Sequence, residues 1–262
     1  MSLSLLVTSY NSLQHLDRFF SWMSLVNNYF EEVIIIDDCS TDNSLDKITK
    51  ESDRYSNFII EQRKINSGRP SLPRNQGISL ASARRIIFLD IDDLVPVKYV
   101  AHLSQCLTED CYSGVKFAIN ETGYNPLYDC NFQVSQTLCT SRFANKNLIT
   151  FSGASLPTDI AKKYNFINEP LEDWQFWLEI CSNESNLKFI KYHDVPVYYD
   201  QAQSLSPPKR KQISRVIQKI GYWKLPIYLF ESAILRIFEY RAYRRFIRST
   251  INISRLQSPG GL

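Results

Sequence analysis

Three carboxylates crowd the end of an apolar run in the stretch RIIFLDIDDLVPVKYV, residues 85–100. Residues 86–89 are apolar, and Asp90, Asp92 and Asp93 follow within four positions. Like charges this close repel one another, and a turn that needs only polar residues can use Asn, Ser or Gly instead. The spacing is typical of a site for a hard divalent cation such as Mg²⁺ or Mn²⁺. The alternative is an Asp-rich turn in which one aspartate caps the next helix.

Short apolar runs alternate with helical patterns in the first part of the chain. Runs typical of buried strands cover residues 3–8, 33–36, 58–63 and 85–90. A Gly- and Pro-bearing loop before the fourth run leads into a helix from about Pro73. Strands that alternate with helices favour a parallel α/β sheet, in which ligands bind beyond the carboxyl ends of the strands. The polar clusters TSYN (8–11), DD (37–38) and DIDD (90–93) fall at such ends, which favours ligand binding over a plain turn.

The second part of the chain is less regular. Strand-like runs cover residues 113–120, 132–138 and 188–200. An amphipathic helix is predicted over residues 171–183. A PP pair then interrupts the chain, and the basic, aromatic region beyond it is predicted to be helical over residues 209–250. We therefore predict a body, residues 1–206, followed by an extension, residues 207–262.

The net charge of +3 hides an asymmetry between body and extension. The extension holds 12 basic and 2 acidic residues, a net of +10, whereas the body holds 18 basic and 25 acidic residues, a net of −7. Arg241, Arg244, Arg245 and Arg248 form a stripe at helical spacing. A basic helix of this kind either lies on an anionic membrane surface or packs against the acidic body. Nucleic-acid binding is not expected, because no recognised motif accompanies the charge.

Cysteine usage and apolar patterns bear on location. The six cysteines form no CxxC pair and no zinc-ligand pattern, so we interpret them as reduced thiols of a reducing compartment. The sequence shows no signal peptide, and no apolar stretch approaches the roughly 20 residues needed to cross a bilayer. We therefore expect a cytoplasmic protein, in contact with the inner face of the cell membrane if the basic extension lies on that surface.

The order of five motifs resembles that of the inverting GT-A glycosyltransferases of family 2. The motifs are VTSYN, VIIIDDCSTDNS, NSGRPSLPRNQGI, IIFLDIDD and LEDWQFWLEI, within roughly residues 3–206. Enzymes of this family transfer a sugar from a nucleotide diphosphate donor to an acceptor. The resemblance implies an α/β fold of GT-A type, with a Rossmann-like, mixed but mainly parallel central sheet flanked by helices. It also implies hexosyl- or N-acetylhexosaminyltransferase activity, with a UDP-sugar as the expected donor.

On the donor side, the resemblance implies a set of binding residues: Thr8, Tyr10, Asn11, Asp38, Arg74, Asp90 and Asp92. The ring of Tyr10 can pack on a flat pyrimidine, and Asp38 can accept a hydrogen bond from the uracil imide N–H. Arg74 can contact the base or bind the diphosphate through a bidentate pair, and Arg69 is a second, weaker candidate. Plainer roles remain open, namely packing for Tyr10, a helix cap for Asp38 and a surface ion pair for Arg74.

The resemblance also implies a metal and a general base. Asp92 and Asp93 match the family's DxD element, so Mn²⁺ or Mg²⁺ is expected to bridge the two donor phosphates, while Asp90 contacts ribose or shapes the turn. Asp173 matches the general base, with Glu172 as its neighbour, and inversion requires such a base on the acceptor side. A helix N-terminus favours the carboxylate form. Ordinary helix-end charge on a surface helix is the alternative.

The sequence departs from the family pattern in two places. The segment VYYDQAQSLS has no histidine where some relatives carry one on the metal, so a ligand from this side is in doubt. The QxxRW element of processive polymerases is absent, which predicts addition of a single sugar. The aromatic residues Trp174 and Trp177 of the fifth motif either form a sugar-stacking wall or belong to the core.

The prediction is therefore a metal-dependent inverting transferase that adds one sugar to a glycan or lipid-linked saccharide during surface polysaccharide synthesis. The alternative is a non-catalytic subunit that binds a nucleotide sugar or glycan, and the complete DIDD cluster and Asp173 argue against it. A nucleotidyltransferase is disfavoured, because VTSYNSLQHL has no glycine from which to build a phosphate loop.

Overall fold

One mixed, mainly parallel sheet organises the part of the chain that the computed structural model describes, residues 2–119, 125–138 and 147–200. Its strands are β1 (Leu3–Ser9), β2 (Glu32–Asp37), β3 (Phe58–Gln62), β4 (Arg85–Asp90), β5 (Cys111–Ile119), β6 (Asn131–Leu138), β7 (Ser155–Pro157) and β8 (Phe189–Asp200). Their order is β3-β2-β1-β4-β7-β5-β8-β6. The pairs among β1 to β4 are parallel, β7 is antiparallel to both β4 and β5, β8 is parallel to β5, and β6 is antiparallel to β8.

Six α-helices accompany the strands in the described residues. They are α1 (Leu16–Val26), α2 (Ser44–Ser52), α3 (Ser71–Leu80), α4 (Val97–Gln105), α5 (Thr158–Ala161) and α6 (Glu172–Asn183). The predicted strands are present with ends shifted by at most two positions, and the helix predicted over residues 171–183 begins at Glu172. Helix α3 begins at Ser71 rather than near Pro73. Because first-turn N–H groups have no acceptor within the helix, a proline at the third position costs no hydrogen bond.

The central strands are buried on both faces, as a parallel sheet covered by helices requires. Leu5, Ile34 and Ile87 are fully buried, one on each of β1, β2 and β4. The three strands run in register, so that Ser9 of β1 lies opposite Asp37 of β2. Thr8 of β1 lies opposite Asp90 of β4. This register brings the three predicted polar clusters to one edge of the sheet.

Two further expectations concern the whole chain. The cysteines in the described residues are unpaired, namely Cys39, Cys106, Cys111, Cys130 and Cys181, as the sequence predicts. None of the helices within residues 2–119, 125–138 and 147–200 has the length and apolar character needed to cross a membrane. The boundary at residue 206 and the basic helix over 209–250 lie outside the described residues and stay predictions.

Candidate active site

A cavity of about 270 Å³ opens at the carboxyl ends of β1, β2 and β4. Five of the seven predicted donor-binding residues line it: Thr8, Tyr10, Asp38, Asp90 and Asp92. The other two, Asn11 and Arg74, are not among its lining residues. Asn11 has a positive φ of 46° and accepts a hydrogen bond from the backbone N–H of Thr41, so it links the loops after β1 and β2. Residues that the sequence places at three different strand ends therefore line one cavity.

Two residues at the β1 and β2 ends keep the chemistry predicted for base binding. Tyr10 is 51% exposed, so its ring remains available for stacking. Asp38 is buried, and its carboxylate accepts hydrogen bonds from the backbone N–H and the hydroxyl of Ser67, at 3.0 and 2.6 Å. The Nε of Arg63 lies 3.0 Å from Asp38 Oδ1. A carboxylate has about four acceptor positions, so these partners hold Asp38 in place and leave capacity for a ligand N–H.

Arg74 joins the cavity wall to helix α6. Its guanidinium donates to both oxygens of Asp90, at 3.0 and 3.2 Å, and to Oε1 of Glu172 at 3.3 Å. The side chain is only 4% exposed, and its Cζ lies 3.5 Å from the centroid of the Phe151 ring. Thr8 donates a further hydrogen bond to Asp90 at 3.0 Å. The predicted contact of Arg74 with the donor stays a prediction, while its partners in this structure are two carboxylates.

The environment of Glu172 is unusual for a carboxyl group. Burial raises the pKa of Glu172, the Arg74 guanidinium lowers it, and the charges of Asp173 and Asp90 raise it. The net direction is upward. Glu172 therefore gains a proton more readily than a solvent-exposed glutamate, and Arg74, followed by a backbone hydrogen bond, favours its charged form.

The turn after β4 presents its carboxylates in different ways. The guanidinium of Arg18 donates to the backbone oxygen of Asp92 at 2.6 Å, which fixes the turn, and Asp92 is one of the residues that line the cavity. Asp93 Oδ2 accepts a hydrogen bond from the hydroxyl of Ser152 at 2.5 Å. Within the described residues, no group of three His, Cys, Asp or Glu side chains gathers to hold a metal. Mg²⁺ sites commonly use one or two carboxylates plus substrate phosphates, and this turn fits that kind of site.

Asp173 stands in the first turn of α6, after Leu171, which has a positive φ of 67°. Its Oδ2 accepts a hydrogen bond from the side-chain amide of Asn147 at 2.7 Å, and its Oδ1 accepts one from the backbone N–H of Trp174 at 2.8 Å. Neither Asp173 nor Glu172 lines the cavity at the strand ends. Glu172 is connected to that cavity through Arg74 and Asp90.

The structure resolves the two roles that the sequence leaves open for Trp174 and Trp177. Trp174 and Trp177 are 3% and 0% exposed, so they belong to the core and form no sugar-stacking wall. The reason is that α6 packs this face against β4, where the ring of Trp177 lies edge-on to the ring of Phe88.

Sequence reasoning missed several residues that surround the site. His15 lines the cavity, Asn147 contacts the predicted base Asp173, and Ser152 contacts the predicted metal ligand Asp93. Arg69, predicted as the weaker arginine, lines the cavity while Arg74 does not. The signal for Arg69 was local, because Gly68 has a φ of +71° and sets a turn that only glycine adopts readily. No local signal marked Asn147 or Ser152.

Comparison with known proteins agrees with this fold. The family model for glycosyl transferase family 2 matches residues 4–146. The poly(ribitol-phosphate) beta-N-acetylglucosaminyltransferase TarP of Staphylococcus aureus strain N315 is 37% identical over 246 residues, which cover 86% of this chain and 73% of TarP. Longer curated relatives match over 99 residues only, 15% to 17% of their own length.

Two solved structures show the fold. S. aureus TarS 1-349 in complex with UDP-GlcNAc has a TM-score of 0.66 at 20% identity, over 84% of this chain and 65% of that one. The mannosyltransferase PcManGT of Pyrobaculum calidifontis, in complex with GDP-Man and Mn²⁺, has a TM-score of 0.57 at 16% identity, over 80% of this chain and 58% of that one. The fold is the predicted GT-A type. With a family match that spans more than half of its length, this chain belongs to glycosyl transferase family 2.

Proposed function

We propose that this chain transfers a single sugar, with inversion, from a UDP-sugar to a glycan or lipid-linked saccharide in surface polysaccharide synthesis. The observation that carries the proposal is the connection from Asp90 through Arg74 to Glu172, which joins the donor cavity to the helix start that holds Asp173. A donor in the cavity and an acceptor beside α6 would then meet between the two sets of carboxylates. The name of the relative TarP, an N-acetylglucosaminyltransferase that acts on a polymer, supports this class of reaction.

The donor side of the mechanism uses stacking, hydrogen bonding and charge. Tyr10 stacks on the uracil ring and Asp38 accepts its imide N–H. Asp92 and Asp93 would hold Mn²⁺ or Mg²⁺ together with the donor phosphates. When bound, this cation stabilises the negative charge that develops on the departing nucleoside diphosphate. Thr8 and Arg74 hold the carboxylate of Asp90, which we expect to contact ribose or to shape the turn.

The acceptor side uses proton transfer. As the acceptor hydroxyl oxygen bonds to the anomeric carbon, the bond from that carbon to the phosphate oxygen breaks and its electron pair leaves with UDP. Asp173 takes the proton of the hydroxyl, and the attack from the opposite face inverts the anomeric centre. Glu172 lies beside it and, with its raised pKa, adds less negative charge than an ordinary carboxylate.

A donor panel tests the proposed function. The purified chain is incubated with UDP-GlcNAc, UDP-glucose and GDP-mannose in the presence of Mn²⁺. Without an acceptor the sugar is transferred to water, and the nucleoside diphosphate that is released is measured. We expect slow UDP release from at least one UDP-sugar and none from GDP-mannose. Nucleotide binding without any release would favour the non-catalytic binding subunit instead. Release from GDP-mannose alone would contradict the proposed donor class.

The proposal includes the compartment of the protein and the place where it meets its acceptor. The unpaired cysteines in the described residues support a reducing, cytoplasmic compartment. The basic helix predicted over residues 209–250 would bring the chain to the inner membrane face, where a lipid-linked acceptor is held. Cosedimentation with anionic vesicles tests this contact, and equal recovery with neutral vesicles would contradict it.

Arg69 is expected to bind the donor diphosphate. It lines the cavity, and no ion pair of its guanidinium is found within the described ranges. The Ser67 hydroxyl oxygen lies 2.6 Å from the Arg69 backbone oxygen as well as from Asp38 Oδ2, so its single proton serves one of these two acceptors at a time. We expect Arg69→Gln to weaken UDP binding about tenfold and to leave uridine binding unchanged, because a guanidinium bonds strongly to phosphate but not to the nucleoside. Titration calorimetry with both ligands measures the difference.

A second arginine provides the control for this variant. Arg54 is exposed and pairs with Glu51 at 3.0 Å, away from the residues that line the cavity. Arg54→Gln removes the same charge and should leave both affinities unchanged. An equal loss of UDP and uridine binding in Arg69→Gln would place this side chain at the base instead of the phosphates.

A further inference from the structure

We infer that the segment of residues 147–152 positions two carboxylates of the proposed mechanism, the base on the acceptor side and a metal ligand on the donor side. Asn147, at its start, sets Asp173, and Ser152, at its end, sets Asp93. Both are positioning residues that act through another side chain. The inference rests on the proposed function, because it gives these carboxylates their roles as base and metal ligand.

Asn147 holds Asp173 in a fixed direction. Its side-chain oxygen accepts the backbone N–H of Ile149 at 3.2 Å, which determines which end of the amide faces Asp173. The amide N–H group therefore points at the carboxylate and donates to Oδ2 at 2.7 Å. The other carboxylate oxygen is held by the backbone N–H of Trp174. With one donor on each oxygen, the plane of the predicted base is defined.

Ser152 ties the predicted metal ligand to the end of β4. The side chain is 1% exposed, and its oxygen accepts the backbone N–H of Asp90 at 3.2 Å. A hydroxyl has a single proton, and here it is donated to Oδ2 of Asp93 at 2.5 Å. One buried hydroxyl therefore fixes both the strand end and the carboxylate that follows it.

The segment between these residues is itself anchored. The hydroxyl of Thr150 donates to the backbone oxygen of Gly114 at 3.2 Å, and the ring of Phe151 lies against Arg74. Gly153 follows with a φ of +79°, and a Cβ there would lie 2.8 Å from Val95. The backbone N–H of Gly153 donates to the backbone oxygen of Phe88 at 2.7 Å. These contacts restrict the movement of residues 147–152. The segment therefore links the partner of Asp173 rigidly to the partner of Asp93.

Three variants of the full chain test the inference. Asn147→Ala and Ser152→Ala each remove one positioning hydrogen bond. Thr150→Val is the matched control, because it removes a hydrogen bond of the same segment that is directed away from the carboxylates. UDP affinity is measured by calorimetry with and without Mn²⁺, and UDP release is measured with the UDP-sugar that the wild-type chain turns over. Melting temperatures are recorded for all variants.

The two positioning residues should affect different measurements. Asn147→Ala is expected to lower kcat about tenfold or more, with UDP affinity within about twofold of wild type, because a hydrogen bond to a charged group is lost only on the acceptor side. Ser152→Ala is expected to weaken Mn²⁺-dependent UDP binding about tenfold and to leave binding without Mn²⁺ unchanged. Thr150→Val should match the wild type in both. A merely structural role cannot produce this separation.

Other outcomes overturn the inference in distinguishable ways. If Asn147→Ala and Ser152→Ala lower affinity and kcat together, in proportion to their melting temperatures, the segment has only a structural role. If the wild type turns over a UDP-sugar and Asn147→Ala does so equally well, the positioning role is wrong and the proposed function stands. If the wild type releases UDP from no UDP-sugar, the proposed function fails and this inference fails with it.

Discussion

Replacing Asp173 by asparagine is expected to lower turnover of the UDP-sugar by about a thousandfold, because a positioned general base contributes roughly 10² to 10⁴ to the rate. Asparagine keeps the size of the side chain and an oxygen that can accept from Asn147 or Trp174, so the helix start should remain folded. What it loses is the ability to take the proton of the acceptor hydroxyl. Affinity for UDP should stay within about twofold, because Asp173 lies outside the donor cavity. Initial rates of UDP release and calorimetric titrations measure the two quantities.

A neighbouring carboxylate on the same helix serves as the control. Glu179 is exposed on α6, so Glu179→Gln removes one negative charge from this helix without touching the site. It should leave turnover unchanged. Activity of Asp173→Asn within a few-fold of wild type would show that another group is the base, with Glu172 as the first alternative.

Replacing Arg74 by methionine is expected to lower the free energy of unfolding by about 3 kcal/mol. Removing one partner of a buried ion pair costs roughly 3 to 5 kcal/mol, because it leaves uncompensated charge behind. Arg74 has two such partners, Glu172 and Asp90, whose side chains are 12% and 32% exposed. Because Asp90 is partly solvated, the lower end of the range applies. Methionine retains the apolar contact with Phe151, so urea unfolding of the variant isolates the loss of charge.

The stability loss should shrink as the pH falls. Burial raises the pKa of Glu172, and removing Arg74, which opposes that effect, raises the pKa further. A carboxyl group with a higher pKa in the folded chain binds more protons when folded, so its protonation favours folding as the pH drops through the folded pKa. The difference between Arg74→Met and wild type should therefore be largest above the folded-state pKa of Glu172 in the variant and narrow as the pH falls through that raised pKa.

An exposed ion pair supplies the comparison for this variant. Arg84 and Glu109 form a pair whose side chains are 50% and 60% exposed. Arg84→Gln should cost at most about 1 kcal/mol, since solvent screens such pairs. A loss for Arg74→Met no larger than that of Arg84→Gln, or independent of pH, would show that the buried pairs do not stabilise this part of the fold.

The three crowded aspartates of the opening stretch have separate partners in the structure. Asp90 is paired with a buried arginine and accepts a hydrogen bond from a threonine hydroxyl, Asp93 accepts one from Ser152, and Asp92 lines the cavity. Part of the repulsion that the spacing implies is thus relieved by the protein itself. In the proposed mechanism, a divalent cation would act chiefly where the donor phosphates bring more negative charge.

The sheet and one side of the site could be predicted because they depend on short-range patterns. Apolar runs with polar ends identify parallel strands, and the register of β1 with β4 places Thr8 opposite Asp90 without further information. The donor cavity follows from that edge. The helix that carries Asp173 was predicted from its amphipathic spacing, and its first residue is Glu172.

The partners of these residues could not be predicted, because they come from distant parts of the chain. Arg74 and Glu172 are 98 positions apart, and Ser152 and Asp93 are 59 apart. Neither Asn147 nor Ser152 stands in a pattern with a period or a motif. The arginine of PRN is equally typical of a donor ligand and of a structural cation, and only the two carboxylates paired with the buried Arg74 reveal the second role. Hydrogen-bond geometry of this kind depends on the packed tertiary structure.

Calorimetric titration with UDP, GDP and CDP, with and without Mn²⁺, tests most directly the claim that the cavity at the strand ends binds a nucleotide donor with a divalent cation. The account predicts that UDP binds most tightly, that EDTA abolishes the enhancement by Mn²⁺, and that Asp92→Asn weakens Mn²⁺-dependent UDP binding at least about tenfold. Equal UDP affinity with and without Mn²⁺ in wild type and Asp92→Asn would contradict the metal role. Failure of all three nucleotides to bind would contradict the donor site itself.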